Sequence, residues 1–122
     1  AHDGPERLSD LLNGSDEFIP ALDAEGRVMT FLHRASIALA RVAPDVEPDA
    51  GGGFTIPTEH EVEITLTDGT RLSGLVSYVL PPERARLVDF LNRSEPFFRV
   101  LERDVVTLVG RAHVARVALV SR

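Results

Sequence analysis

Histidines, carboxylates and arginines are the residues of this 122-residue chain that could hold a metal, move a proton or bind an anion, and their spacing decides between these chemistries. The four histidines, His2, His33, His60 and His113, are scattered. A metal site needs three or four converging donors. When the chain is laid over itself, His33 falls opposite Gly110 and His113 opposite Ser36, so no histidine recurs at an equivalent place. Glu59, Glu61 and Glu63 alternate along one stretch and share a strand face about 7 Å apart. A hard cation there requires further oxygen ligands from another strand. The row is read as solvated charge that protects a strand edge. Asp10 and Asp89 recur at matching positions, as do Asn13 and Asn92, Ser15 and Ser94, and Arg34 and Arg111. Paired carboxylates can do acid–base work. The same residue types also cap helices, open turns and satisfy backbone groups, and that structural reading is the one adopted. No Gly-x-Ser-x-Gly elbow is present. Gly51-Gly52-Gly53 lacks the Lys and Ser/Thr of a phosphate-binding loop. The expectation is no catalytic residue, no metal, no cofactor and no enzyme.

The arginines are the remaining candidates. All 13 basic residues are Arg, which is read as a coding bias of the genome. One set, Arg84, Arg86, Arg93, Arg99, Arg103 and Arg111, is concentrated in the C-terminal half. The net charge of −6 opposes nucleic acid and anionic membranes in bulk. Its distribution is uneven: residues 1–63 carry 4 Arg and 13 acids, for −9, while residues 64–122 carry 9 Arg and 6 acids, for +3.

The elements that position these residues come from an internal repeat. Residues 7–18 match residues 86–97 at 7 of 12 positions, and residues 28–38 match residues 105–115 at 5 of 11. Each copy reads as a short helix followed by three strands. Leu8, Leu11 and Leu12, and again Leu87, Phe90 and Leu91, fall at i, i+3, i+4 on one helix face. Pro5 and Pro82 suit a first helical turn. Asn13 and Asn92 stand where the helix ends and suit a left-handed cap. Strands are predicted at Phe18–Leu22, Val28–Leu32 and Ile37–Val42, then at Phe97–Leu101, Val105–Val109 and Val114–Val120. The connections are too short for parallel crossovers, so each copy is an antiparallel meander.

Between the copies, residues 43–58 form an acidic Pro/Gly linker. Residues 59–80 form a hairpin whose Val62, Ile64 and Leu66 alternate with polar residues. Asp68-Gly69 suits a primed turn, and Gly74 suggests a bulge or sharp bend. The chain is therefore expected to be one domain: a first repeat at 5–42, the linker, the hairpin, and a second repeat at 82–120. Its fold class is mostly β (α+β), a partly open barrel or sandwich of antiparallel strands with two short helices and a single core. There is no cysteine, no apolar run long enough to span a bilayer and no signal-peptide pattern, which fits a cytoplasmic protein. The chain does not open on Met, so Ala1-His2 is read as a remnant at a trimmed start.

A resemblance adds to this reading. Val62-Glu63-Ile64-Thr65-Leu66-Thr67-Asp68-Gly69-Thr70-Arg71-Leu72-Ser73-Gly74-Leu75-Val76, with Val105–Val109, Arg111 and Val114–Val117, resembles a divergent Sm-like small barrel of the SH3 type over residues 60–120. A helix at Pro82–Asn92 is inserted between its second and third strands. Where the bacterial RNA chaperone of this class carries Tyr-Lys-His, this chain has Gly110, Arg111 and Ala112. The whole chain is also similar to an uncharacterised bacterial family with the pattern seen at Leu91-Asn92, Phe97-Phe98, Val106, Leu108-Val109 and His113-Val114. Two functions follow as expectations. The first is a non-enzymatic protein-interaction or assembly module, a homodimer formed by isologous pairing of sheet edges. The alternative, implied by the resemblance, is a nucleic-acid-binding module using the six arginines.

Overall fold

The computed structural model describes residues 7–47, 56–81, 83, 86–93 and 95–120. His2, Pro5, Gly51–Gly53, Pro82, Arg84 and Ser94 lie outside the described residues. The fold is mostly β and antiparallel. In chain order the elements are α1 (Leu8–Leu12), β1 (Phe18–Leu22), β2 (Met29–His33), β3 (Leu39–Val42), β4 (Thr58–Leu66), β5 (Arg71–Tyr78), α2 (Leu87–Leu91), β6 (Phe97–Glu102), β7 (Val105–Gly110) and β8 (Val114–Leu119). Single 3₁₀ turns at Arg34–Ser36 and Arg111–His113 make the corners before β3 and β8. β1 and β2 form a two-stranded sheet, and the other six strands form one sheet in the order β3-β7-β6-β5-β4-β8, which is not closed into a barrel.

The first two strands of the two copies pair in matching register, but neither copy is the expected three-strand meander, because β3 pairs with β7 and β8 with β4. Phe18 pairs with His33 and Leu22 with Met29, just as Phe97 pairs with Gly110 and Leu101 with Val106. The backbone N–H of Arg34 donates to Glu17 O at 2.7 Å, and that of Arg111 to Pro96 O at 2.7 Å. Both arginines turn back onto the helix that precedes them. Arg34 Nη1 donates to Leu12 O at 3.4 Å and to Gly14 O. Arg111 donates to Glu95 O at 2.8 Å, to Phe90 O at 3.3 Å and to Leu91 O. Leu12, Phe90 and Leu91 lie in the last turn of their helices, where carbonyls lack a full set of intrahelical donors, and Gly14 and Glu95 lie just past the helix ends. That explains a departure from the expected caps: Asn13 and Asn92 have φ of −92° and −91°, outside the left-handed region. An arginine from the following corner does the capping that a left-handed residue was expected to do.

Two apolar clusters replace the expected single core. In one, β4 and β5 supply Val62, Ile64, Leu66, Leu72, Val76 and Tyr78, which pack on Phe90, Phe98, Val100 and Val109 of the second repeat. Tyr78 stacks on Phe90 with ring centres 4.9 Å apart, Phe90 meets Phe98 edge-on, and Arg111 lies 5.0 Å over the Phe98 ring. Burial pushes the Tyr78 hydroxyl above its ordinary pKa, and its oxygen lies 3.0 Å from His60 Nε2. The other cluster joins the repeats: Leu12 and Ile19 of the first pack on Phe97, Val106 and Leu108 of the second.

Three further expectations change. The hairpin turn is not primed. Gly69 has φ of +93°, no positive φ is seen at Asp68, Gly69 N donates to Leu66 O at 2.9 Å and Leu66 N to Thr70 O at 2.8 Å. This is a three-residue loop whose last residue takes the left-handed conformation. Asp68 accepts the Thr70 N–H at 2.9 Å, which holds its carboxyl below the ordinary range. Gly74 is not a bulge, because Val62 faces it in unbroken register. It is a close approach: a Cβ there would meet Leu101 O and Val100 Cγ1 at 2.6 Å. The register shift falls instead at Thr65/Leu66 against β8. β8 covers β4 from Val62 to Leu66, so Glu63 guards no edge, whereas Glu59 lies beyond that pairing.

Removing the guanidinium caps tests the shared design. Arg111→Ala is expected to cost about 2 kcal/mol, from charged hydrogen bonds and a cation over a ring. Arg34→Ala, which lacks the ring contact, is expected to cost about 1 kcal/mol. Urea denaturation midpoints of the two variants give the comparison.

Candidate functional site

The six arginines proposed as a set occupy different surroundings. Arg86 flanks α2 and pairs with Asp89 at 2.9 Å, a hydrogen bond that raises its pKa. Arg7 and Asp10 repeat that i,i+3 pair at α1, and Asp10 also accepts the Arg7 backbone N–H at 3.2 Å. The recurrence of Asp10 and Asp89 is thus a helix-start device. Arg93 pairs with Glu95 at 3.0 Å. Arg103 stands in the β6–β7 turn with φ of +46°. Arg84 lies outside the described residues. Arg111 is half-buried and committed to carbonyls, and burial pulls its pKa down while Glu95 opposes that shift. Among the described residues of the set, Arg93, Arg99 and Arg111 come together, around a small pocket of about 110 Å³ that Glu95 also lines. Arg99 Nε is buried there with no hydrogen-bond partner.

The histidines do not gather. His33 ends β2 with its ring 4.9 Å from that of Phe18, His60 meets Tyr78, and His113 Nε2 lies 2.7 Å from Ala35 O. Among the described residues no group of three metal-ligating side chains is found. No described helix is long and apolar enough to cross a membrane.

What the sequence reading missed is the junction between the repeats. β3 leaves its own repeat and pairs with β7: Leu39 with Val109, Ala40 with Leu108, Arg41 with Thr107 and Val42 with Val106. Gly110 N donates to Ala38 O at 2.8 Å. The two backbone segments approach so closely there that a Cβ on Gly110 would meet Ile37 O at 2.6 Å. Arg41 Nε donates to Glu102 at 3.1 Å, and buried Thr107 donates its hydroxyl to the same carboxylate. Asn13 reaches across the junction: Phe97 N donates to its Oδ1 at 2.8 Å, and its Nδ2 donates to Phe97 O at 3.3 Å. Part of the predicted linker joins the structure as well. Glu47 is buried and accepts from Ser9 N at 3.1 Å and from Ser9 Oγ, with Arg7 at 3.8 Å. An open apolar cleft of about 470 Å³ runs along the junction between Arg34, Phe97 and Arg111.

The junction exposes an asymmetry. The second repeat's outer face, which the first repeat covers, is buried at Phe97 (4 % exposed), Val106 (0 %) and Leu108 (1 %), with Leu101 packed beside them. The matching residues of the first repeat are Phe18, Met29, Phe31 and Leu22, and these are 56 %, 50 %, 64 % and 58 % exposed. Val28 and Leu32 extend the same exposed stretch, while Leu119 and Val120 form a second one at the end of β8. Apolar residues exposed singly need no explanation, whereas Phe18, Leu22, Met29, Phe31 and Leu32 fall together on β1 and β2. Comparison with known proteins gives no relative to set beside this arrangement: no family model, no curated protein and no solved structure matches the chain.

Gly110→Ala tests the junction. The added methyl meets backbone, which cannot swing away, so the expected cost is about 2 kcal/mol or more. Hydrogen exchange is expected to accelerate at Leu39–Val42, with β4 and β5 remaining protected.

Proposed function

We propose that the chain is a non-enzymatic assembly module that associates through the outer face of its first repeat. One observation carries this reading: side chains buried in one repeat stand in water at the same positions of the other. Phe18, Leu22, Met29 and Phe31 keep the apolar character of Phe97, Leu101, Val106 and Leu108 although nothing among the described residues covers them. Removing such area from water is worth about 25 cal/mol per Å² before the costs of association are met. The edge of β2 adds unpaired backbone groups beside that face. The test is a sedimentation series over a wide concentration range. The wild type is expected to associate, and Phe18→Ser with Phe31→Ser is expected to yield monomer with an unchanged unfolding midpoint, since both side chains are already exposed. A wild type that stays monomeric, or a variant that associates as well as the wild type, overturns the reading.

A second reading rests on the arginine pocket. Arg99 has a donor without a partner beside Arg93 and Arg111, and a single-stranded nucleic acid supplies phosphate oxygens for such donors. The absence of Trp and the core placement of Tyr78 and Phe90 leave few stacking platforms beside it. Fluorescence anisotropy with a generic single-stranded RNA at low salt is the measurement. Under this reading binding falls steeply with salt, and Arg99→Ala weakens it several-fold. No binding at low salt ends it.

A further inference from the structure

The assembly reading leaves the partner open, and the intramolecular junction supplies a pattern for it. Resting on that reading, we propose that the partner is a second copy of this chain, docked head to tail: β8 and the end of α2 of one copy meet β2 and Phe18 of the next, as β3 and the end of α1 meet β7 and Phe97 within the chain.

Three features of the junction have unused counterparts. The first is strand pairing. β3 of the first repeat pairs with β7 of the second, and their counterparts, β8 and β2, are terminal in their sheets with one edge open each. Transferring the β3–β7 register places Leu119 opposite Met29, Ala118 opposite Thr30, Val117 opposite Phe31 and Arg116 opposite Leu32. The second is the asparagine clamp. Asn13 holds both backbone groups of Phe97. Its counterpart Asn92 is exposed, with no side-chain hydrogen bond among the described residues, and the counterpart of Phe97 is the exposed Phe18. The third is the apolar face: Leu119 and Val120 at the end of β8 are exposed, and so are Met29 and Phe31 on β2.

The faces that meet inside the chain are unlike, which favours a heterologous contact over an isologous one. Such a contact repeats until it closes into a ring or grows as a filament. One position sets a limit. His33 stands where Gly110 allows Ile37 O to come close, so pairing between copies begins at Leu32 opposite Arg116 instead of one residue earlier.

The chain has no cysteine, so introduced thiols report contacts without background. Met29→Cys and Leu119→Cys, both at exposed positions, are purified separately, mixed, and treated with a short thiol crosslinker. The expected result is a covalent dimer in the mixture and none from either variant alone. Asn92→Ala is expected to weaken association about tenfold, the loss of two hydrogen bonds, with no change in the urea midpoint measured at a concentration where the protein is monomeric. Phe31→Cys probes the centre of β2 against itself. If it crosslinks to itself and the mixture gives no product, the contact is isologous; the head-to-tail arrangement then fails while the assembly reading stands. If no thiol pair crosslinks and the wild type sediments as a monomer at every concentration, both fail.

Discussion

The pairing of β3 with β7 is the constraint on which the first repeat depends. A five-residue helix and a two-stranded ribbon do not hold a shape in water by themselves, because helix nucleation is costly and an isolated hairpin is marginal. α1, β1 and β2 amount to little more than that. What fixes them is the transfer of β3 onto the sheet of the second repeat, which brings Leu12 and Ile19 down onto Phe97, Val106 and Leu108. Gly110 allows the approach, and Asn13 and Arg41 complete it with hydrogen bonds to Phe97 and Glu102. The polar groups at this junction are satisfied across the repeat boundary, so the boundary is interior to the fold and not a hinge between two bodies.

The two repeats share their polar anchors and differ in their apolar surroundings. Arg34 and Arg111 do one job, capping the carbonyl end of a short helix from the corner that follows β2 or β7. That job needs a long, always-charged side chain with several donors, which accounts for the recurrence of arginine at this corner in both copies. In the second repeat β4 and β5 enclose the helix and build the ladder of Tyr78, Phe90 and Phe98 under Arg111. The first repeat has no such hairpin among the described residues. Its inward residues use the second repeat as a substitute, and its outward residues have nothing.

Much of the fold could be read from the chain. The repeat, the pairing of the first two strands of each copy and the alternation along Val62, Ile64 and Leu66 are periodic signals that survive translation into structure, whereas the third strand of each copy pairs outside its own meander. The details that went astray depend on long-range approach. Nothing local to Asn13 says that an arginine 21 residues later will cap its helix, and that arginine is what removes the need for a left-handed asparagine. Nothing local to Glu63 says that β8 will pair with β4 from Val62 onward and leave no edge there to guard. Glu47 looked like part of an acidic linker because its neighbours are Pro and Asp, and only Ser9 and Arg7 make it a buried anchor. One signal for the junction was present. Gly110 aligns with His33 in a block where most mismatches exchange one apolar residue for another, and a glycine held where its twin is a histidine marks a place where backbone comes close.

The edges of the first repeat are also treated unequally. A strand edge left in water is a template for another strand, and proteins blunt such edges with proline or charge. β1 carries Pro20, which removes a backbone donor from the strand. Its counterpart in the second repeat is Arg99, on the strand that pairs with β5 at Leu75 and Leu101. β2 reads Met29-Thr30-Phe31-Leu32-His33, with neither proline nor carboxylate nor arginine, although it too is terminal in its sheet. Pro20 leaves the open edge of β1 one backbone donor short, whereas the open edge of β2 keeps its full row of donors and acceptors beside the more exposed aromatic, Phe31.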